Sequence, residues 1–217
     1  MPPERVYPDT IASPVTREMV VKKSRFIAHV APVTSVAGAD EVIAAVRKQA
    51  WDAGHNCVAM VTGLTADQAR SSDDGEPSGT AGVPMLEVLR RRGLTDVVAV
   101  VTRYFGGVKL GAGGLIRAYS TAVSEALDDA KLVHRQLLRQ VTVAVPHADA
   151  GRIDNFLRDW AAGNGATLGE VDYAAEARFE LWVPPTALDR FDADLASASA
   201  GALTAETGDD RVVDVRP

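Results

Sequence analysis

The chain has 217 residues, 47% of them hydrophobic and 24% charged, a balance that describes a folded protein of one large or two small domains and excludes the disordered and membrane-spanning classes. The net charge of −6 is uneven, with +1 on residues 1–135 and −7 on residues 136–217, so a basic footprint over the whole chain is excluded and any polyanion site belongs to the first half. A single cysteine, Cys57, excludes an internal disulfide and a cysteine-rich zinc site, and the Pro, Glu, Arg and Asp mixed into residues 1–17 do not make a secretion signal, so a cytoplasmic protein without membrane association is expected.

In chain order, residues 1–17 are expected to be an N-terminal extension ahead of a first domain over residues 18–135. A first strand is predicted over 24–33, where Phe26, Ile27, Val30 and Val33 lie in a β-permissive context. Asp40 marks a helix start, and Val42, Ile43, Val46 and Ala50 put one apolar stripe on a helix running to Trp51, with Gly54 as its stop. Residues 56–62 read as a buried strand. The polar stretch 63–82 is expected to be a long loop, and its length marks it for function. Pro84 suits the first turn of a short helix, where its missing N–H is not needed, and Gly93 suits a left-handed cap at the far end. The β-branched run 97–102 predicts a strand covered on both faces, which delivers Arg103, Tyr104 and Phe105 to its end. A helix over 114–129 presents Ile116, Tyr119, Val123 and Leu127 on one side.

The pattern then restarts in a second domain over residues 136–217. Val141, Val143 and Val145 predict a strand, and Ile153, Phe156, Leu157 and Trp160 a helix. Strands follow over 168–173 and 177–183, the second with alternating Ala177, Phe179, Leu181 and Val183. Pro184-Pro185 ends that strand, Leu188, Phe191 and Leu195 mark another helix, and a last strand lies over 212–215. The order is βαββαβ, the ferredoxin-like arrangement.

The most informative motif is Arg103-Tyr104-Phe105-Gly106-Gly107-Val108-Lys109-Leu110-Gly111-Ala112-Gly113-Gly114, followed by a helix with Arg117 in its first turn. It holds five glycines in nine residues. Glycines permit positive φ, so successive amides can converge into a concavity beside a helix N-terminus, which attracts anions. Arg103, Lys109 and Arg117 would add positive charge suited to phosphate or a nucleic-acid backbone. The spacing is neither a Walker loop nor a dinucleotide fingerprint. The alternative is that the glycines only let strand and helix connect sharply.

A second constellation, Asp73-Asp74-Gly75-Glu76-Pro77-Ser78-Gly79-Thr80-Ala81-Gly82, puts three carboxylates within four residues. Without an EF-hand spacing, Asp73, Asp74 and Glu76 are read either as part of a solvated turn in which Asp and Gly serve backbone geometry or as acids that pair with Arg103 or Lys109 and order the two loops, in preference to a metal site. No metal and no cofactor are expected. His55 and Cys57 share one face of a strand start, but no orienting group marks a nucleophile, and a core or edge role is preferred. His29, His134 and His147 are scattered singly. Trp51, Trp160 and Trp182 are read as core or near-core, with partial exposure expected for Trp51 beside a loop.

Ser24-Arg25-Phe26, the His55-x-Cys57 strand, Asp73-Asp74-Gly75-Glu76-Pro77 with Gly79-Thr80-Ala81-Gly82, and Arg103-Tyr104-Phe105-Gly106-Gly107 through Gly111 occur in an order that resembles the IMPACT family, whose bacterial members include YigZ. The likeness spans residues 20–130, and the second half resembles the ferredoxin-like C-terminal domain of bacterial members. It implies an α+β protein of two domains. The first would be an α/β sandwich shared with a small-subunit ribosomal protein and domain four of elongation factor G, the second a ferredoxin-like domain similar to domain five of that factor. That pairing implies a link to translation. The resemblance does not carry over the partners of the eukaryotic members, whose additional N-terminal domain is not expected here.

Two functions follow. The preferred one is a noncatalytic factor that binds RNA or the ribosome through Arg103, Tyr104, Gly106, Gly107, Lys109, Gly111, Gly113, Gly114 and Arg117. The alternative is a small enzyme or a binder of a phosphorylated ligand, in which the Asp73–Glu76 acids act opposite the same cationic loop.

Overall fold

In the computed structural model, which describes residues 7–215, the chain is α+β and divides into one unit over residues 7–135 and another over residues 136–214. The first unit opens with the short strand β1 (Thr10–Ile11), aligned with Val133 and Leu132. Strands β2 (Val15–Val21) and β3 (Ser24–Pro32) then form an antiparallel hairpin in which Val21 faces Ser24. The expected extension over 1–17 contains strand. Its residues 1–6 lie outside the described residues, while 10–11 and 15–17 are strand. Thr16, Arg17 and Glu18 interrupt the apolar pattern because β2 is an edge strand, and only Val15, Met19 and Val21 lean on the core.

Helix α1 (Val36–Gln49) begins four residues ahead of the predicted Asp40, because Ser35 Oγ accepts a hydrogen bond from the Gly38 amide at 3.1 Å and caps the first turn. Strand β4 (His55–Thr62) is buried almost throughout. The long loop predicted after it contains strand β5 (Gln68–Ser72), antiparallel to β4. Its Gln, Ala, Arg and Ser composition has no apolar alternation to read, since it lies at the other sheet edge. Helix α2 (Gly82–Arg91) ends before Gly93, which is left-handed at φ 64°.

Strand β6 (Val97–Tyr104) is the centre of the sheet, in the order β2-β3-β6-β4-β5. Its alternation divides two cores: Val98 and Val100 pack with Ile43 of α1, while Val97, Ala99 and Val101 pack with α2 and with helix α3 (Ala112–Asp128). On α3 the buried stripe runs through Leu115, Tyr119, Ala122, Val123 and Ala126. Ile116, predicted on that stripe, is instead exposed, because it lies one residue round the helix from Leu115.

The second unit follows through strand β7 (Leu132–Val145), helix α4 (Ala150–Asn164), strands β8 (Thr167–Tyr173) and β9 (Ala177–Val183), a single 3₁₀ turn (Pro185–Ala187), helix α5 (Leu188–Ala198) and strand β10 (Ala205–Val215). The sheet order β10-β7-β9-β8 is ferredoxin-like. Its core joins Val141, Val143, Ile153, Leu157, Phe179, Leu181 and Phe191, with Trp160 edge-on to Phe191 at 4.8 Å. Among the described residues no helix is long and apolar enough to cross a membrane.

Candidate nucleic-acid interface

The antiparallel registers bring the chemistry to one end of the first sheet. Arg25 of β3 faces Tyr104 and His55 of β4 faces Arg103, so the β2–β3 turn, the start of β4 and the end of β6 are neighbours. The acidic loop joins them there.

Its three carboxylates each have internal partners. Asp73 caps α2, a helix whose own N-cap residue Ala81 supplies no side-chain acceptor: Oδ1 accepts from the amides of Ala81 and Gly82 at 3.0 and 2.8 Å, and Oδ2 from Gly79 at 2.8 Å. Burial alone raises the Asp73 carboxyl, but those three amides outweigh it and hold the group below its ordinary value. Asp74 accepts from the Asn56 amide at 2.7 Å and from Arg47 at 3.0 Å. Glu76 is buried, and its Oε1 accepts from Arg103 at 2.6 Å and from the Tyr119 hydroxyl at 2.7 Å. Among the described residues no group of three or more His, Cys, Asp or Glu is placed to hold a metal ion.

His55 and Cys57 face the same loop. A carbonyl only accepts, so His55 Nδ1 carries its proton and donates to the Asp74 carbonyl at 2.8 Å, leaving Nε2 3.9 Å from Glu76 Oε1. The Cys57 thiol donates to the Asp73 carbonyl at 3.0 Å, and burial, ahead of its neighbours, pushes it up to about 12. Burial likewise drives the Tyr119 hydroxyl well above its ordinary range.

The glycine motif separates into several structural tasks. An added Cβ at Gly106 would overlap the backbone of Lys23 and Ser24, so this position needs glycine for close approach, and its amide donates to Ser24 Oγ at 3.1 Å. Gly107 and Gly111 turn the chain with φ of 84° and 72°. Gly111 is the N-cap of α3, while Gly113 and Gly114 lie in its first turn, which has no side-chain cap.

Arg103 makes the ion pair with a loop acid that the sequence offered for it, and does not face solvent with the other cations. It is 6% exposed, paired with Glu76, and its guanidinium carbon lies over the Phe26 and Phe105 rings at 5.4 and 5.7 Å. A charge so enclosed orders the two loops rather than facing solvent. Tyr104 is half-buried beside Arg25, and its hydroxyl donates to Asp52 at 3.0 Å. Lys109 and Arg117, by contrast, are exposed and make no ion pair among the described residues.

Sequence reasoning missed two further cations. Lys22 and Lys23 form the whole β2–β3 turn, both left-handed at φ 46° and 68°, both exposed and without an ion pair among the described residues. That geometry is a type I′ turn, which Asn-Gly fills with less strain. The available signal was two lysines between Val20-Val21 and Phe26-Ile27. A cavity of about 190 Å³ opens beside the turn, with Met19, Val21, Leu110 and Ala118 as apolar walls and Lys22 and Arg117 as its cations. Trp51, the tryptophan expected to be partly exposed because it lies beside a loop, is 82% exposed, in the turn between α1 and β4.

Comparison with known proteins shows what the chain is similar to. Residues 22–127 match the Impact N-terminal domain, and residues 143–202 match a domain of unknown function (DUF1949). The chain is 42% identical to the IMPACT family member YvyE of Bacillus subtilis over 92% of this chain and 90% of that protein. It is 38% identical to the IMPACT family member YigZ of Escherichia coli over 88% of this chain and 93% of that one. A solved structure described as the crystal structure of a hypothetical protein has a TM-score of 0.59 and 35% identity, covering 93% of this chain and 97% of its own.

Proposed function

The chain belongs to the IMPACT family, and on that premise we propose that it is a noncatalytic cytoplasmic factor, linked to translation, that binds RNA or the ribosome at the cationic end of its first unit. The observation that carries this reading is the Lys22–Lys23 turn. Left-handed backbone costs a residue other than glycine roughly 1–2 kcal/mol, yet two lysines occupy both positions and project unpaired charge. Strain held at an exposed, charged position is a mark of function. Lys109 and Arg117 extend the same cationic end, while nearby acids are engaged elsewhere: Glu76 by Arg103, Asp74 by Arg47 and Glu18 by Arg25. The groups that a catalytic reading would recruit support a noncatalytic one, since Cys57 is a buried thiol raised to about 12 and Glu76 is already paired.

The test is RNA affinity across a salt series. Contact with four phosphates of a single strand gives a slope of about −3 in log K against log salt. Affinity independent of salt contradicts the proposal.

The cavity favours a second reading, a small phosphorylated ligand held by Lys22 and Arg117. At about 190 Å³ it falls short of the roughly 300–1,000 Å³ that encloses a whole drug-sized ligand, so it would take one group of such a molecule. Saturable binding of a sugar phosphate that RNA does not displace distinguishes this case.

A further inference from the structure

Two exposed aromatic faces lie beside the cations. Trp51 is 82% exposed and Phe105 59%. The turn carrying Trp51 is pinned across the end of β6 by two hydrogen bonds, from the Tyr104 hydroxyl to Asp52 at 3.0 Å and from the Gly54 amide to the Arg103 carbonyl at 3.2 Å. Phe105 leaves the same strand end, stiffened by the Arg103 guanidinium against its ring. The Trp51 indole makes no hydrogen bond or ring contact among the described residues. One exposed apolar side chain needs no explanation. Two aromatic rings held at the end of a sheet that also presents Lys22, Lys23 and Lys109 have the composition of a stacking platform.

Resting on the RNA reading above, we propose that the ligand is single-stranded, with unpaired bases stacked on Trp51 and Phe105 and phosphates lying along Lys22, Lys23 and Lys109. A duplex hides its base faces and leaves only backbone and groove to contact, so it has no use for exposed rings. A single strand offers a π-face at every base and a phosphate between successive bases, matching rings and cations that share one sheet end. The carboxylate in the Trp51 turn, Asp52, is occupied by the Tyr104 hydroxyl, and Glu18, near the hairpin, by Arg25. The Arg25 cation offsets the charge of Glu18, so Glu18 repels phosphate less than a free acid would.

The indole supplies its own probe. Trp160 and Trp182 are 6% and 8% exposed, so a change in tryptophan emission on titration with a uridine oligoribonucleotide reports chiefly on Trp51. The single strand is expected to quench that emission and to bind more tightly than an RNA duplex of equal length. Trp51→Ala is expected to weaken single-strand binding by about five- to 150-fold, Trp51→Phe to restore most of it, and neither to shift the thermal midpoint appreciably. Salt-dependent RNA binding that is unchanged in Trp51→Ala, or a duplex bound as tightly as the single strand, overturns the stacking platform and leaves the RNA reading standing. No binding of either RNA overturns both.

Discussion

Gly106 is seated directly on the backbone of Lys23: no Cβ fits between them, and the Gly106 amide donates to the neighbouring Ser24 Oγ at 3.1 Å. The lysine turn and the glycine loop are thereby held together, although 82 residues separate Ser24 from Gly106. The contact fastens together charges that the strand registers bring from distant stretches of sequence to one end of the sheet.

Replacing that glycine therefore damages the fold before it affects any ligand. Gly106→Ala is expected to destabilise the protein by about 1–3 kcal/mol, because the overlapped atoms are backbone and cannot rotate away. Gly113→Ala provides the contrast. Gly113 lies in the first turn of α3, where an added Cβ would meet only the far end of the Arg117 side chain, at 4.0 Å, so alanine should stabilise by about 0.5–1 kcal/mol. Urea midpoints check both, and equal destabilisation by the two would contradict the division of tasks within the motif.

At the hairpin, stability and function are expected to pull apart. Changing Lys22→Asn together with Lys23→Gly supplies the residues that a type I′ turn prefers and should raise stability by about 1 kcal/mol. The same pair of changes removes two charges, so RNA affinity should fall. A variant that is both less stable and fully able to bind RNA would refute the role given to the turn.

Breaking the buried ion pair is expected to cost far more than deleting a surface one. Glu76→Ala leaves the Arg103 guanidinium buried without its anion, and loss of one partner of such a pair costs about 3–5 kcal/mol. Glu76→Gln together with Arg103→Met removes both charges and should recover a large part of that loss. A double-mutant cycle on chemical denaturation measures the coupling, and simple additivity would contradict a direct pair.

Much of this architecture was legible in the sequence where a period was strong. Val97 to Thr102 read as a strand covered on both faces because both faces are covered, and the βαββαβ order emerged because Val141, Val143, Phe179 and Leu181 alternate into one core. Strands β2 and β5 escaped because edge strands lose apolar alternation to Thr, Arg, Glu, Gln and Ser. The candidate site was half legible. Glycines and cations are visible in a string of letters. That Arg103 turns inward to Glu76 while Lys22 and Lys23 turn outward depends on strand register, which only the tertiary pairing fixes.

The thiol gives a pH signature. Burial raises Cys57 to about 12, whereas an unfolded cysteine ionises near 8.5. The folded state thus keeps a proton that the unfolded state gives up. This contribution is fully present below about pH 8.5 and declines as pH rises toward 12. Iodoacetamide at pH 8 should leave the native protein unlabelled and should label it in denaturant, as mass spectrometry would show. Rapid native labelling would contradict the buried placement.

The most direct test compares the RNA salt slope of the wild type with that of Lys22→Ala/Lys23→Ala/Lys109→Ala. These side chains are exposed and without ion pairs among the described residues, so the triple variant should fold normally. Its slope should be shallower by about 2, reflecting roughly 0.7 for each lost contact to a single strand. An unchanged slope in a folded triple variant would contradict RNA binding at this end of the sheet.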